Sequence, residues 1–121
     1  MANNNELEQY LKLIKELDSD NNCPIRSAME MIGGKWKLRI LAQLLRKEMV
    51  RFNELKRDLS GITNTMLSNS LRELENDCLI TRKQYNEMPV RVEYNITDRG
   101  KNLLPTIYEL NIWWDDFITS S

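Results

Sequence analysis

RFNELKRDLSGITNTMLSNSLRELENDCLI, residues 51–80, holds two helical apolar patterns separated by a glycine. Asn53 is placed to cap a short helix through Leu59, with Leu55 and Leu59 at i, i+4 as its buried contacts. Ser60-Gly61-Ile62 then turns the chain, and Thr63 is placed to cap a longer helix reaching Asp77. On that helix an advance of about 100° per residue brings Leu67, Leu71 and Leu74 within about 40° of one another, a stripe made for a core. The opposite side carries Thr65, Asn69, Arg72 and Asn76, flanked by Ser68, with Glu73 and Glu75 only at its margins. A solvated helix ordinarily covers its outer face with Glu and Lys, which are better helix formers than Asn, Thr and Ser. Amides and hydroxyls gathered in the first two turns suit a surface that donates to and accepts from base edges. The plainer alternative is a capping region with incidental polar residues.

Beyond this pair the period changes. Leu79 to Tyr85 and Val90 to Ile96 read as strands, the second alternating Val90, Val92, Tyr94 and Ile96 against Arg91, Glu93 and Asn95. Asn86-Glu87-Met88-Pro89 forms the hairpin tip. Thr97-Asp98 suits a helix start, and the apolar pattern runs on through Leu103, Leu104, Ile107, Leu110, Trp114, Phe117 and Ile118, with a bend expected at Pro105. On the other side, Lys35 to Arg46 reads as a helix with Leu38, Ile40, Leu41, Leu44 and Leu45 inward and Lys35, Arg39 and Arg46 outward. Cys23-Pro24 opens a helix ending at Gly33-Gly34, and Leu7, Tyr10, Leu11, Ile14 and Leu17 mark another, preceded by a frayed Met1 to Asn5 and followed by a polar break at Asp18 to Asn22.

Helix, short turn, longer helix and β-hairpin in this order describe a winged helix-turn-helix. The expected class is mainly α with a small β-hairpin wing, an α+β fold, in one domain over 1–121. Its parts are an N-terminal helical extension (1–22), the helix-turn-helix (52–77), the wing (79–97) and a C-terminal dimerisation helix (98–118).

The net charge of −1 conceals a strong asymmetry. Residues 35–57 carry eight Lys and Arg against Glu48 and Glu54, a net +6, and 78–101 carry five basic against three acidic residues, a net +2. Residues 58–77 come to −3, with Arg72 against four acids. A phosphate backbone needs a local positive face, and a chain-wide excess need not supply it. The chain has no histidine and two cysteines far apart, Cys23 and Cys78, so neither a metal site nor another cofactor is expected. With no glycine-rich phosphate loop and no evident pairing of carboxylates, enzyme activity is not expected either. No apolar run approaches the ~20 residues of a membrane span and no signal-peptide pattern opens the chain, which points to a cytoplasmic protein without membrane partners.

The stretches CPIRSAMEMIGGKWKLRIL (23–41), residues 51–80 as quoted above, and VEYNITDRGKNLLPTIYELNIWW (92–114) resemble the HxlR-type family of bacterial winged helix-turn-helix regulators, relatives of the MarR-like proteins. The resemblance spans about Cys23 to Trp114. It implies a homodimer that represses or activates nearby genes, often in answer to electrophiles, oxidants or other stress signals. It implies that Thr63 to Asp77 is the major-groove helix and Asn86 to Arg91 the wing. On that footing Thr63, Asn64, Thr65, Ser68, Asn69 and Arg72 form the reading end, Arg72 being able to bond guanine in bidentate fashion. Lys35, Arg51, Lys56 and Arg91 then serve as phosphate or minor-groove contacts that set register.

By the same resemblance Cys23 is a candidate redox sensor. Such chemistry needs a thiolate, which the start of a helix favours, and a passive, buried thiol is the alternative. Cys78 departs from the family, which often has glycine there for a left-handed backbone. Either Cys78 accepts that conformation or the helix ends differently.

Apolar residues cover more than one face of the C-terminal helix, which is excessive for sealing a small domain. Leu110, Trp113, Trp114 and Phe117 are therefore expected at a dimer interface, joined by Leu7, Leu11 and Ile14 if the N-terminal helix crosses to the partner and does not pack on its own subunit. Two-fold symmetry sets two recognition helices about 34 Å apart on double-stranded DNA bearing a pseudo-palindromic operator. The expected function is a dimeric, sequence-specific transcriptional regulator, a repressor answering a stress or chemical signal, with a small-molecule or electrophile effector. The competing expectation is a winged-helix protein-interaction adaptor without specific DNA binding.

Overall fold

The computed structural model describes residues 3–17 and 23–120. They fall into two compact units, residues 1–33 and residues 34–121. The first contains α1 (Asn4–Glu16) and α2 (Pro24–Ile32). Asn3 caps α1, its Oδ1 accepting from the Glu6 amide at 2.8 Å, so the helix begins inside the stretch expected to fray. The polar break at 18–22 lies outside the described residues. In α2, Pro24 occupies the first turn, where its missing N–H leaves no bond unmade.

The second unit runs α3 (Lys37–Lys47), β1 (Met49–Arg51), α4 (Phe52–Asp58), α5 (Asn64–Asn76), β2 (Ile80–Tyr85), β3 (Arg91–Ile96), α6 (Asp98–Lys101) and α7 (Leu104–Thr119). Its core joins Ile40, Leu41 and Leu44 of α3 to Leu55 and Leu59, to Leu67, Leu71 and Leu74 of α5, and to Val50, Ile80, Tyr94 and Ile96 of the sheet, all buried. Leu38 and Leu45, also expected inward, are half-buried. The helices and the small wing make this a mainly α, winged helix-turn-helix fold.

Three departures from the expected elements have physical causes. A third strand, β1, pairs antiparallel with β3, giving the order β1-β3-β2 with Val50 opposite Tyr94 and Ile80 opposite Ile96. With three residues and one buried side chain, β1 has too little periodicity to show in the sequence. Because the strand ends at Arg51, α4 starts directly after it, and Asn53 sits within the first turn instead of capping it. Glu54 takes over there, its Oε1 accepting from the Arg51 amide at 3.3 Å.

As the central strand, β3 keeps the expected inward Tyr94 and Ile96 buried, but the alternation breaks at two places. Glu93 is buried and Val90, ahead of the strand, is exposed. Finally, the expected helix 98–118 is two helices. Thr97 caps the single turn of α6, accepting from the Gly100 amide at 3.0 Å, and Pro105 falls in the first turn of α7, where it begins a helix instead of bending one.

Candidate nucleic-acid interface

The geometry of α5 follows from its two ends. Gly61, at φ +90°, makes the turn that follows α4, and Thr63 caps α5 with Oγ1 accepting from the Met66 amide at 3.1 Å. At the far end Cys78 has φ +63°. The Leu79 amide reaches the Leu74 carbonyl and the Cys78 amide the Glu75 carbonyl, both at 3.0 Å. This is a Schellman closure built on a cysteine, so Cys78 accepts the left-handed conformation. Thr97 fastens the exit, its Oγ1 donating to the Cys78 carbonyl at 2.7 Å while its amide donates to Leu79 at 3.0 Å. Gly100 is required by the same junction, since a Cβ there would lie 2.3 Å from the Leu79 carbonyl oxygen.

Between these ends the helix divides sharply. Leu67, Leu71 and Leu74 are 0%, 2% and 0% exposed, whereas Thr63, Asn64, Thr65, Ser68, Asn69, Arg72 and Asn76 all lie at the surface. Arg72 Nη2 donates to Asn69 Oδ1 at 2.7 Å, a neutral partner that orients the guanidinium and leaves its charge intact. Glu73, at the margin, receives Lys37 Nζ of α3 at 2.7 Å. That hydrogen bond, with the lysine's charge, holds the Glu73 carboxyl below its ordinary range. Lys47 and Asp58 make an equivalent link at 2.5 Å between the ends of α3 and α4, with the same effect on Asp58.

The basic residues expected around this helix differ in what they are free to do. Lys35, Arg51 and Lys56 are exposed. Lys35 and Arg39 both lie over the Trp36 ring, at 5.0 and 4.7 Å from its centroid. Arg91 is engaged within the wing: Nη2 is 3.2 Å from Glu87, Nε is 3.6 Å from Glu93, and the guanidinium lies 4.1 Å over the Tyr85 ring. Arg51 and Arg91 share one surface hollow with Phe52, Asn53 and Glu87, while Ser68 and Arg72 share another with Leu71, Glu75, Arg82 and Tyr94. Lys35 and Lys56 line neither. Arg82 was missed by sequence reasoning; the β2 pattern placed it on a strand, and only the pairing of Arg82 with Tyr94 brings it to the flank of α5.

Cys23 is half-buried at the N-cap of α2, and Cys78 is exposed; both are free thiols. The side chains expected at a subunit interface are uncovered in the single chain. Leu7 and Leu11 are exposed and Ile14 is half-buried on α1, and no residue of α7 is buried. Trp113 and Trp114 each stack on Phe117 with centroids 5.6 Å apart. No helix among the described residues is long and apolar enough to cross a membrane.

The sequence model of the HxlR-like helix-turn-helix family matches residues 31–121. An HTH-type transcriptional regulator of Halalkalibacterium halodurans is 44% identical over 107 residues, covering 88% of this chain and 92% of the relative. Among solved structures, the HTH-type transcriptional regulator YtcD superposes with a TM-score of 0.77 at 39% identity, over 80% of this chain and 98% of the other. The redox regulator HypR in its oxidized form does so with a TM-score of 0.72 at 36% identity, over 78% and 96%. With its paired helices, its wing and these matches, the chain belongs to the HxlR-like helix-turn-helix family.

Proposed function

We propose that the protein is a cytoplasmic, sequence-specific DNA-binding regulator of transcription that works as a homodimer. The observation that carries this reading is the division of α5 into a fully buried leucine edge and an exposed edge of Thr65, Ser68, Asn69 and Arg72. Thr63, Asn64 and Thr65 bring the start of the helix to the groove floor, and Ser68, Asn69 and Arg72 read bases behind them. Lys35, Arg51 and Lys56 hold phosphates. Arg91, tied to Glu87, Glu93 and Tyr85, chiefly shapes the wing. The apolar surface of Leu110, Trp113, Trp114 and Phe117 meets a second copy, aided by Leu7, Leu11 and Ile14.

The test is binding to the intergenic DNA beside its own gene against a random duplex. Arg72→Ala should weaken the specific site about tenfold or more and random DNA little, since a bidentate guanine contact is worth roughly 1–3 kcal/mol of discrimination. Equal losses on both would remove Arg72 from base reading. A protein that binds no duplex even at low salt would be the adaptor.

The regulation we propose is repression relieved by a thiol-reactive signal. Its support is the likeness to a protein described as a redox regulator and the position of Cys23 at a helix start. Diamide should lower the DNA affinity of the wild type and leave Cys23→Ser unaffected, as read by electrophoretic shift; equal responses would remove Cys23 from the mechanism.

A further inference from the structure

The hollow beside the exposed edge of α5 has a volume of about 400 Å³ and lies between the helix and the wing, with Ser68, Leu71, Arg72 and Glu75 on one wall and Arg82 and Tyr94 on the other. Its two arginines share an arrangement that sets them apart from the cations held in ion pairs. Lys37, Lys47 and Arg91 are each bonded to a carboxylate. Arg72 donates instead to the amide oxygen of Asn69, at 2.7 Å, and Arg82 to that of Gln84, at 3.2 Å. A neutral amide orients a guanidinium and leaves its full charge for another acceptor. Leu71 and Tyr94, one from each wall, are both buried and anchor the hollow in the core.

We infer that this hollow seats one phosphate of the DNA backbone and that Arg82, on β2, is its contact. The inference rests on the DNA-binding reading above. A helix that presents Ser68 and Arg72 to the groove places one bounding strand of that groove along its flank, and on the β2 side the flank is this hollow. Arg82 closes it from the wing, so a phosphate held there joins the reading helix to the sheet. Glu75, half-buried on the same wall, carries the opposite sign. It reduces the local charge to a net +1, so the hollow holds a phosphate less tightly than two unopposed arginines would. A phosphate contact carries no sequence information, so the role of Arg82 differs in kind from that of Arg72.

The experiment measures affinity for a random-sequence duplex and for the intergenic DNA beside the gene, each across a salt series. Arg82→Gln should weaken both by the same factor, roughly fivefold, and reduce the slope of log affinity against log salt by about 0.9. Arg82→Lys should restore the slope, because the charge is retained. Glu75→Gln should strengthen both DNAs. The side chain of Arg82 is exposed, so thermal melting of the variants verifies that the fold is intact.

Unchanged affinity and slope in Arg82→Gln, or a loss confined to the specific site, would overturn the assignment, as would weaker binding by Glu75→Gln. Absence of any duplex binding by the wild type would instead overturn the DNA-binding reading itself.

Discussion

Cys78 shows how much of one backbone position can be read from a sequence and where reading stops. The family resemblance marks its place after α5 as a left-handed site but leaves open whether a cysteine accepts that conformation or the helix ends differently; the positive φ selects the first. A side chain at such a position costs about 1 kcal/mol relative to glycine, offset in part by the greater freedom that glycine has in the unfolded chain. Cys78→Gly should therefore raise stability by up to about 1 kcal/mol, seen as a melting temperature higher by a few degrees, with DNA affinity unchanged. A lower melting temperature would show that the thiol side chain contributes packing that outweighs the strain. Gly100 is the contrasting residue. Nothing near it in sequence demands glycine; the demand comes from the Leu79 carbonyl and the Ile96 side chain, which reach it only when the wing is folded.

Among elements, the long periodic helices are legible because one apolar edge suffices to define them. Leu67, Leu71 and Leu74 gave the orientation of α5, and with it the exposed edge of the candidate interface. The short strand β1 is not legible in this way, because what defines it is backbone pairing with β3, and side-chain pattern carries no trace of that. The displaced start of α4 follows from the same omission. Arg82 belongs here as well, since a strand residue's neighbour across space depends on register.

Ion pairs between elements lead to a prediction in pH. Lys37–Glu73 joins α3 to α5 and Lys47–Asp58 joins α3 to α4. Both carboxyls titrate below their unfolded values. Their stabilisation is therefore complete above the unfolded values, near pH 4, and is lost as pH falls through the lower folded ones. Melting temperature should decline from about pH 5 to pH 3, and the double variant Asp58→Asn, Glu73→Gln should show a shallower decline. The same acid slope in both proteins would assign the loss to other groups. Glu73 is exposed and Asp58 only half-buried, so both pairs are screened by solvent and the change is expected to be small.

At the scale of the whole molecule, a net charge of −1 and a phosphate-binding role are compatible because the charges are sorted. The segment 35–57 holds +6 while residues 58–77, which include α5, come to −3, so on the proposed reading affinity and selectivity reside in different parts of the chain. The apolar surface of α7 is sorted too, gathered on one helix with no buried residue. If a second copy covers it, sedimentation should give twice the monomer mass of 14.3 kDa. Replacing both Trp113 and Phe117 with alanine should shift the protein toward the monomer at micromolar concentration and weaken binding to paired half-sites more than to a single one. A wild-type protein that sediments as a monomer at that concentration would disprove the interface.

If a second copy covers α7 as proposed, the placement of the indoles gives an optical report on that assembly. Trp36 is 8% exposed, whereas Trp113 and Trp114 are 60% and 50% exposed. Near-ultraviolet excitation thus divides the emission into a constant component from the core and a variable one from α7. Diluting a dimer through its dissociation range should move the variable component to longer wavelength as water reaches those rings. No dye need be attached to follow the partner's departure.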